Sequence, residues 1–228
     1  MLQPPKEQLK NQTCYRLIPS KYPPIGLYDD VASADELEAI YFLESLTNPR
    51  LLEQAGDLTQ VPKEDWLVGV AHGSYVMAAF THLNAEGARF TTGDFGGYYC
   101  APLLDTAIKE TIYHQERLMS YTNEPAQRLQ MRSLFARFSA ELVNICGDAH
   151  LPTNLYHPTD YSHSQAFASQ QREEGADGIL YRSVRHAGQD CYVIFRPRLF
   201  SEVCQAKHFE YCWNGTSITN VIELRLYE

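Results

Sequence analysis

The sequence has no long hydrophobic run. No stretch approaches the roughly 18 consecutive apolar residues that a transmembrane helix needs, so we expect no membrane span. Lysine and arginine form no run and the formal net charge is −9, which argues against a nucleic-acid backbone as the partner. The N-terminus has no apolar segment behind a positively charged start and does not resemble a secretory signal. These absences predict a cytoplasmic protein.

The standard nucleotide, metal and redox motifs are also missing. There is no phosphate-binding loop with Gly-Lys-Ser/Thr, no G-x-G-x-x-G after a strand and no His-Glu-x-x-His. The nearest pair of histidines, His157 and His163, are six residues apart, which is not a zinc spacing, so we predict no metal site. No two of the six cysteines are separated by only two residues, so a zinc ribbon or redox pair is excluded, and reduced, mostly buried thiols are expected.

The composition is that of a folded, globular chain. It has 228 residues, of which 44% are hydrophobic and 21% charged, close to the averages for globular proteins. At about 150 residues per domain, this length corresponds to one large domain or to one domain with an insertion. The first dozen residues are polar, and we expect them to be loose.

Helical and strand patterns mix along the chain without regular alternation. Ser33 and Glu36 have the spacing of a capping box and predict a helix start. Residues 104–121 carry an apolar stripe at helical spacing, whereas residues 130–142 alternate with period two, which favours a strand over a helix. Asn214-Gly215 predicts a β-hairpin turn. This mixture predicts an α+β fold.

Four residues stand in a suggestive order. Arg89 lies in a glycine-rich loop, Tyr99 on a short strand, Glu110 on the following helix and Ser183 at the end of an apolar strand. A glycine loop with an arginine, then an aromatic ring and a carboxylate, suits a flat, anionic, sugar-bearing ligand. The alternative is ordinary structure: a surface charge, a core tyrosine, a solvated glutamate and a strand end.

The spacing of these residues resembles the RES family, named for its Arg, Glu and Ser. The matching pieces are Arg89-Phe90, Tyr99-Cys100-Ala101, Ala107 to Glu110, and Gly178 to Ser183; Tyr15-Arg16 resembles the family's start. The resemblance implies a single RES-like domain over residues 1–228, with residues 22–86 a family-variable insertion. It also implies a fold similar to ADP-ribosyltransferase toxins, with two small, mainly antiparallel sheets around a cleft and flanking helices.

The resemblance further implies a function. RES proteins are the toxins of bacterial toxin–antitoxin pairs, consume NAD, and are neutralised by an Xre-type helix-turn-helix antitoxin. We therefore expect cleavage of the nicotinamide–ribose bond of NAD as substrate, with inorganic phosphate or water as acceptor. Two alternatives stay open: a protein ADP-ribosyltransferase on the same scaffold, and a catalytically inactive module that binds a partner protein.

The residues suit that chemistry. A carboxylate stabilises an oxocarbenium-like transition state, the role we assign to Glu110. Tyr99 would stack on nicotinamide, Arg89 would hold the diphosphate, and Ser183 would supply a hydroxyl. Arg16 would add a second anion contact, or else serve a structural role.

Overall fold

The computed structural model describes residues 4–22, 29, 31, 33–47, 55–147 and 153–225. These residues contain four α-helices and seven β-strands. In chain order they are β1 (Lys6–Pro19), α1 (Ala34–Thr47), α2 (Ser74–Thr81), β2 (Tyr98–Cys100), α3 (Leu104–Tyr121), β3 (Gln127–Asn144), α4 (Ser162–Glu173), β4 (Gly178–Arg182), β5 (Asp190–Ile194), β6 (Phe200–Trp213) and β7 (Ile218–Leu224). The predicted α+β fold with mainly antiparallel pairing is confirmed.

The longest strand, β3, organises the sheet. β1 pairs antiparallel with one edge of β3, from Lys6 opposite Val143 to Pro19 opposite Met131. β6 pairs antiparallel with the other edge and continues into β7. The alternation that predicted a strand over residues 130–142 is explained by this position, because Leu134, Ala136 and Phe138 all point into the core.

The strands form one sheet rather than the two small sheets that we expected. β2, β5 and β4 make an antiparallel group of their own, but β4 joins β3 through a short parallel pairing. That pairing sets Val143 opposite Ile179 and Asn144 opposite Leu180. A β-bridge between Tyr15 and Ala101 then connects β1 to the end of β2, so that five strands close into a ring.

The N-terminal segment is ordered, contrary to our expectation. Lys6 to Thr13 belong to β1, and Leu9 pairs with Ala140. A bulge interrupts the register between Leu9 and Gln12, where Asn11 has a φ of +49°. The polar composition misled the prediction because the edge of β3 supplies backbone hydrogen bonds whatever the side chains are.

Local signals located the helices correctly. The Glu36 backbone N–H donates to Ser33 Oγ at 3.2 Å, which is half of the predicted capping box. The apolar stripe over residues 104–121 lies on α3, which runs from Leu104 to Tyr121. Part of residues 22–86 lies outside the described residues, and their status as an insertion stays a prediction.

The predicted hairpin between β6 and β7 is present. Asn214 N donates to the Ser217 carbonyl at 3.1 Å, and Asn214 Oδ1 accepts from the backbone N–H groups of Thr216 and Ser217 at 2.8 Å each. Gly215 has a φ of +102°, a conformation that few other residues adopt. The asparagine side chain thus closes the turn that the glycine makes possible.

Three further observations concern sites of other kinds. No helix in the described ranges has both the length and the apolar character needed to cross a bilayer. Over the same ranges, no three side chains among His, Cys, Asp and Glu cluster closely enough to hold a metal ion. All six cysteines are free thiols, and Cys14, Cys100 and Cys191 are buried.

Candidate active site

The loop before β2 is held in a tight turn that presents Arg89 and Phe90. Ala88 N donates to the Thr91 carbonyl at 2.9 Å, and Gly87 has a φ of +67°. A Cβ atom at Gly87 would lie 2.1 Å from the Thr91 carbonyl oxygen, so no other residue fits there. The glycine requirement of this loop is therefore a consequence of backbone packing.

Strand alternation separates the two neighbouring tyrosines of β2. Tyr98 is fully buried in the core, and Tyr99 lines a cavity. The Tyr99 hydroxyl accepts a hydrogen bond from Phe90 N at 2.9 Å and lies 3.2 Å from Thr91 Oγ1. These contacts fix the position of the ring. Burial raises the pKa of Tyr99 to about 12, so its hydroxyl stays protonated. Tyr99 can offer an aromatic face but cannot act as a base at neutral pH.

Glu110 and Ser183 are hydrogen-bonded to each other. Ser183 Oγ donates to Glu110 Oε1 at 2.5 Å. The same Ser183 oxygen accepts from the backbone N–H groups of Arg185 at 3.1 Å and His186 at 2.8 Å. Those two donors direct the Ser183 proton toward the glutamate, so the serine fixes one carboxylate oxygen at the cavity wall.

The glycine at the start of β4 allows the sheet to position Ser183. A Cβ atom at Gly178 would lie 2.2 Å from the Val193 carbonyl oxygen of the paired strand β5. Ser183 follows this glycine by five residues. Its backbone N–H donates to the Gln189 carbonyl, in the turn between the two strands, at 2.8 Å. Close pairing of β4 and β5 thus sets the place of the serine.

A cysteine also touches Glu110 but is unsuited to nucleophilic attack. Cys191 Sγ lies 3.8 Å from Glu110 Oε1. Burial, and then the negative charge of Glu110, raise the pKa of the Cys191 thiol well above its usual range. Because the thiolate is the nucleophilic form, Cys191 is a poor nucleophile in this setting.

Arg89 is buried and holds a distant segment in place. Its Nη1 donates to the carbonyl oxygens of Leu155 at 3.2 Å and His157 at 2.7 Å. Its guanidinium carbon lies 4.7 Å from the centroid of the Tyr161 ring, a cation–π distance. Arg89 therefore packs residues 155–161 against the glycine-rich loop, a structural contribution that the sequence did not indicate.

Four of the five predicted residues line one cavity of about 250 Å³. Arg89, Tyr99, Glu110 and Arg16 line it, and Ser183 reaches it through its bond to Glu110. A larger cavity of about 570 Å³ adjoins it and shares four lining residues, which are Arg16, Leu17, Ala88 and Tyr99. Together the two fall within the roughly 300–1,000 Å³ of small-molecule sites.

Arg16 lies where the two cavities meet. Its guanidinium carbon is 4.8 Å from the centroid of the Tyr98 ring. Its Nη1 is buried and has no hydrogen-bond partner among the described residues. The contact with Tyr98 is structural, and the buried Nη1 is a donor that remains available to a group entering the cavity.

Sequence reasoning missed several residues of the cavity, among them His114, Tyr161 and Tyr181. His114 follows Glu110 by four residues on α3, a spacing that puts both side chains on one helix face and could have indicated it. Desolvation by the cavity wall lowers the pKa of His114; the charges of Arg185, Arg117 and Arg89 lower it further, whereas Glu110 opposes the shift. The imidazole is therefore neutral at pH 7.

The sequence pattern of the RES domain matches residues 65–214. This chain belongs to the RES domain family. The family resemblance drawn from Arg89, Tyr99, Glu110 and Ser183 is thereby confirmed, and all four lie within the matched part of the RES domain.

Two known proteins are similar to this RES domain protein. "Uncharacterized protein y4oC" of Sinorhizobium fredii (strain NBRC 101917 / NGR234) is 29% identical over 206 residues, which cover 90% of this chain and 84% of that protein. A solved structure, the M. tuberculosis MbcT-MbcA toxin-antitoxin complex, is similar with a TM-score of 0.45 and 12% identity, over 94% of this chain and 85% of that one.

Proposed function

We propose that this RES domain is an enzyme that cleaves the nicotinamide–ribose bond of NAD. One observation carries the proposal: Arg89, Tyr99 and Glu110 line the same cavity, and Ser183 is bonded to the glutamate within it. The ordinary structural interpretation of these residues, separate positions on a surface and in a core, does not account for that convergence.

Glu110 is the residue that we assign to the bond-breaking step. As the C1′–N bond breaks, its electron pair leaves with the nicotinamide ring, and positive charge develops on the ribose. A carboxylate beside that carbon stabilises the charge. Ser183 holds one oxygen of this carboxylate at 2.5 Å, so little reorganisation is needed when the charge develops.

The remaining residues would bind the two ends of the substrate. The Tyr99 ring, fixed through its hydroxyl, offers a face to the cationic nicotinamide ring. Arg16, with its unpaired Nη1 at the junction of the two cavities, suits the diphosphate. Arg89 would support that contact from the loop, although two backbone carbonyls already occupy its Nη1. The larger cavity would then take the adenosine half.

The acceptor completes the reaction on the face that nicotinamide leaves. With inorganic phosphate, a phosphate oxygen forms the new bond to C1′, and the products are nicotinamide and ADP-ribose phosphorylated at that carbon. With water, the oxygen of water forms that bond, its proton is released, and ADP-ribose results. In the cell this activity would deplete NAD and stop growth; membership in the RES family supports the role of a toxin and an Xre-type antitoxin as the partner protein.

The test is to incubate the purified protein with NAD, with and without inorganic phosphate, and to identify the products. Loss of NAD with release of nicotinamide is the expected result. A requirement for phosphate indicates phosphorolysis, and free ADP-ribose indicates hydrolysis. Nicotinamide release that requires an added protein, with labelled ADP-ribose attached to that protein, would instead establish protein ADP-ribosylation.

A further inference from the structure

A third cavity, of about 280 Å³, shares no lining residue with the Glu110 cavity and carries three arginines from two parts of the chain. Arg172 comes from α4, Arg196 follows β5, and Arg198 lies in the 3-10 turn Pro197–Leu199. Three guanidinium groups at one hollow form a local concentration of positive charge in a protein of net charge −9.

Two of the three arginines have carboxylate partners. Arg198 Nε donates to Asp65 Oδ1 at 2.5 Å. Arg196 Nε lies 3.9 Å from Asp177 Oδ1, near the limit of an ion pair, and its Nη2 donates to the Gly175 carbonyl at 3.2 Å. Each guanidinium has five N–H donors, so both arginines keep donors beyond these contacts.

Arg172 is the arginine without a charge partner. Its guanidinium carbon lies 4.8 Å from the centroid of the Phe95 ring. Across the described ranges its guanidinium group makes no ion pair and no hydrogen bond with a protein group. Stacking on an aromatic ring orients a guanidinium plane while leaving its N–H edge free, which is the arrangement used to bind oxyanions.

The residues that line the cavity carry three positive and two negative charges, and Asp177 lies behind Arg196 outside the lining. Besides the three arginines, the lining carries the carboxylates of Glu64 and Asp65. Asp65 is engaged by Arg198, whereas Glu64 is exposed and has no ion pair within the part of the chain that the structure describes. An anion entering the cavity therefore meets the Arg172 guanidinium, which no carboxylate engages, and the opposing charge of Glu64.

We propose that this cavity binds a phosphate group. Three guanidinium groups at one cavity supply enough N–H donors for the three terminal oxygens of a phosphate, more than the two oxygens of a carboxylate need. The proposal is independent of the NAD-cleaving function, because the cavity contains none of the residues assigned to that function.

The position of the site connects it to the larger cavity of the RES domain. Phe95 and Gly96 line both, so the segment that carries them is the wall between the two. A phosphate held by Arg172 would keep that guanidinium on the Phe95 ring and so brace this wall from the side opposite to the larger cavity.

The test is calorimetric titration of the full chain with inorganic phosphate, and separately with acetate. We expect phosphate to bind more tightly than acetate. Arg172→Gln should weaken phosphate binding by about tenfold, as expected for the loss of one charge-assisted contact. Glu64→Gln should tighten it by roughly threefold, because it removes the opposing charge. Arg128→Gln, an equal loss of charge on an exposed strand residue, should leave it unchanged.

Two results would overturn the proposal. One is an unchanged phosphate affinity in a folded Arg172→Gln variant, especially if Arg89→Gln abolishes binding, because the anion would then occupy the Glu110 cavity. The other is an unchanged phosphate affinity in Glu64→Gln. If Arg172→Gln does not fold, this second result is sufficient by itself to reject the proposal.

Discussion

Ser183 and Glu110 lie 73 residues apart in the sequence and are joined by a 2.5 Å hydrogen bond. The bond connects the end of β4 to the middle of α3, and it fixes a carboxylate oxygen at the cavity that Arg89 and Tyr99 also line. The helix therefore brings the carboxylate, the sheet brings the serine, and neither element alone makes the site.

Replacement of Ser183 by alanine should harm both stability and turnover. The change removes the partner of Glu110 Oε1 and leaves the N–H groups of Arg185 and His186 without their acceptor. We expect the free energy of unfolding in urea to fall by about 1–3 kcal/mol. We expect kcat for NAD to fall by roughly 10–100-fold, because the carboxylate is no longer held in place. Ser201→Ala, at an exposed position of β6, is the control and should match the wild type. A fully active Ser183→Ala enzyme would contradict this account.

The hydroxyl of Tyr99 should contribute to stability, and its ring should contribute to NAD affinity. Tyr99→Phe keeps the aromatic face and loses the contact with Phe90 N, so stability should fall by about 1 kcal/mol while NAD affinity changes little. Tyr99→Leu removes the face and should weaken NAD binding by roughly tenfold. Both affinities are measured by titration in a Glu110→Gln background, which does not consume the ligand. Equal affinities of the phenylalanine and leucine variants would rule out stacking.

Arg89→Lys should loosen the segment around His157. Lysine keeps the charge but lacks the planar fork that lies over Tyr161 and reaches the carbonyl groups of Leu155 and His157. We expect faster amide hydrogen exchange in residues 153–161 and a raised KM for NAD. Arg137→Lys, in an exposed ion pair with Glu202, should change neither. Unaltered exchange at 153–161 would show that the contacts of Arg89 do not hold this segment.

Stability should fall in acid partly through His114. Its folded-state pKa lies below the usual 6.5, because desolvation disfavours the charged ring. The imidazole therefore binds a proton more readily in the unfolded state than in the folded state. The contribution of His114 to stability is present above pH 6.5 and is lost as pH falls below that value. The effect is small because the ring keeps contact with solvent. His114→Gln should flatten the pH dependence of the unfolding free energy between pH 7 and 5. Parallel curves for wild type and His114→Gln would disprove the assignment.

Local patterns predicted most elements of this RES domain, because short-range hydrogen bonding and side-chain alternation determine them. The capping box at Ser33, the Asn214-Gly215 turn and the alternation of residues 130–142 are features of this kind. The family motif then selected Glu110 and Ser183, whose contact no local pattern could reveal.

What the sequence did not predict depends on long-range contacts. The joining of the strands into one sheet rests on two residues of β3, Val143 and Asn144, and on the Tyr15–Ala101 bridge. The contacts of Arg89 with the carbonyl groups of Leu155 and His157 span 66 and 68 residues. A periodic pattern within one segment cannot predict such pairings, because every residue has the same backbone carbonyl group.

The most direct test of the central claim compares NAD consumption by the wild type, Glu110→Gln and Glu173→Gln. Both variants lose one negative charge, but Glu173 lies on the exposed side of α4, away from the cavity. The account predicts that Glu110→Gln reduces NAD cleavage by roughly 100–1,000-fold while remaining folded, and that Glu173→Gln keeps the wild-type rate. Undiminished NAD cleavage by a folded Glu110→Gln protein would contradict it.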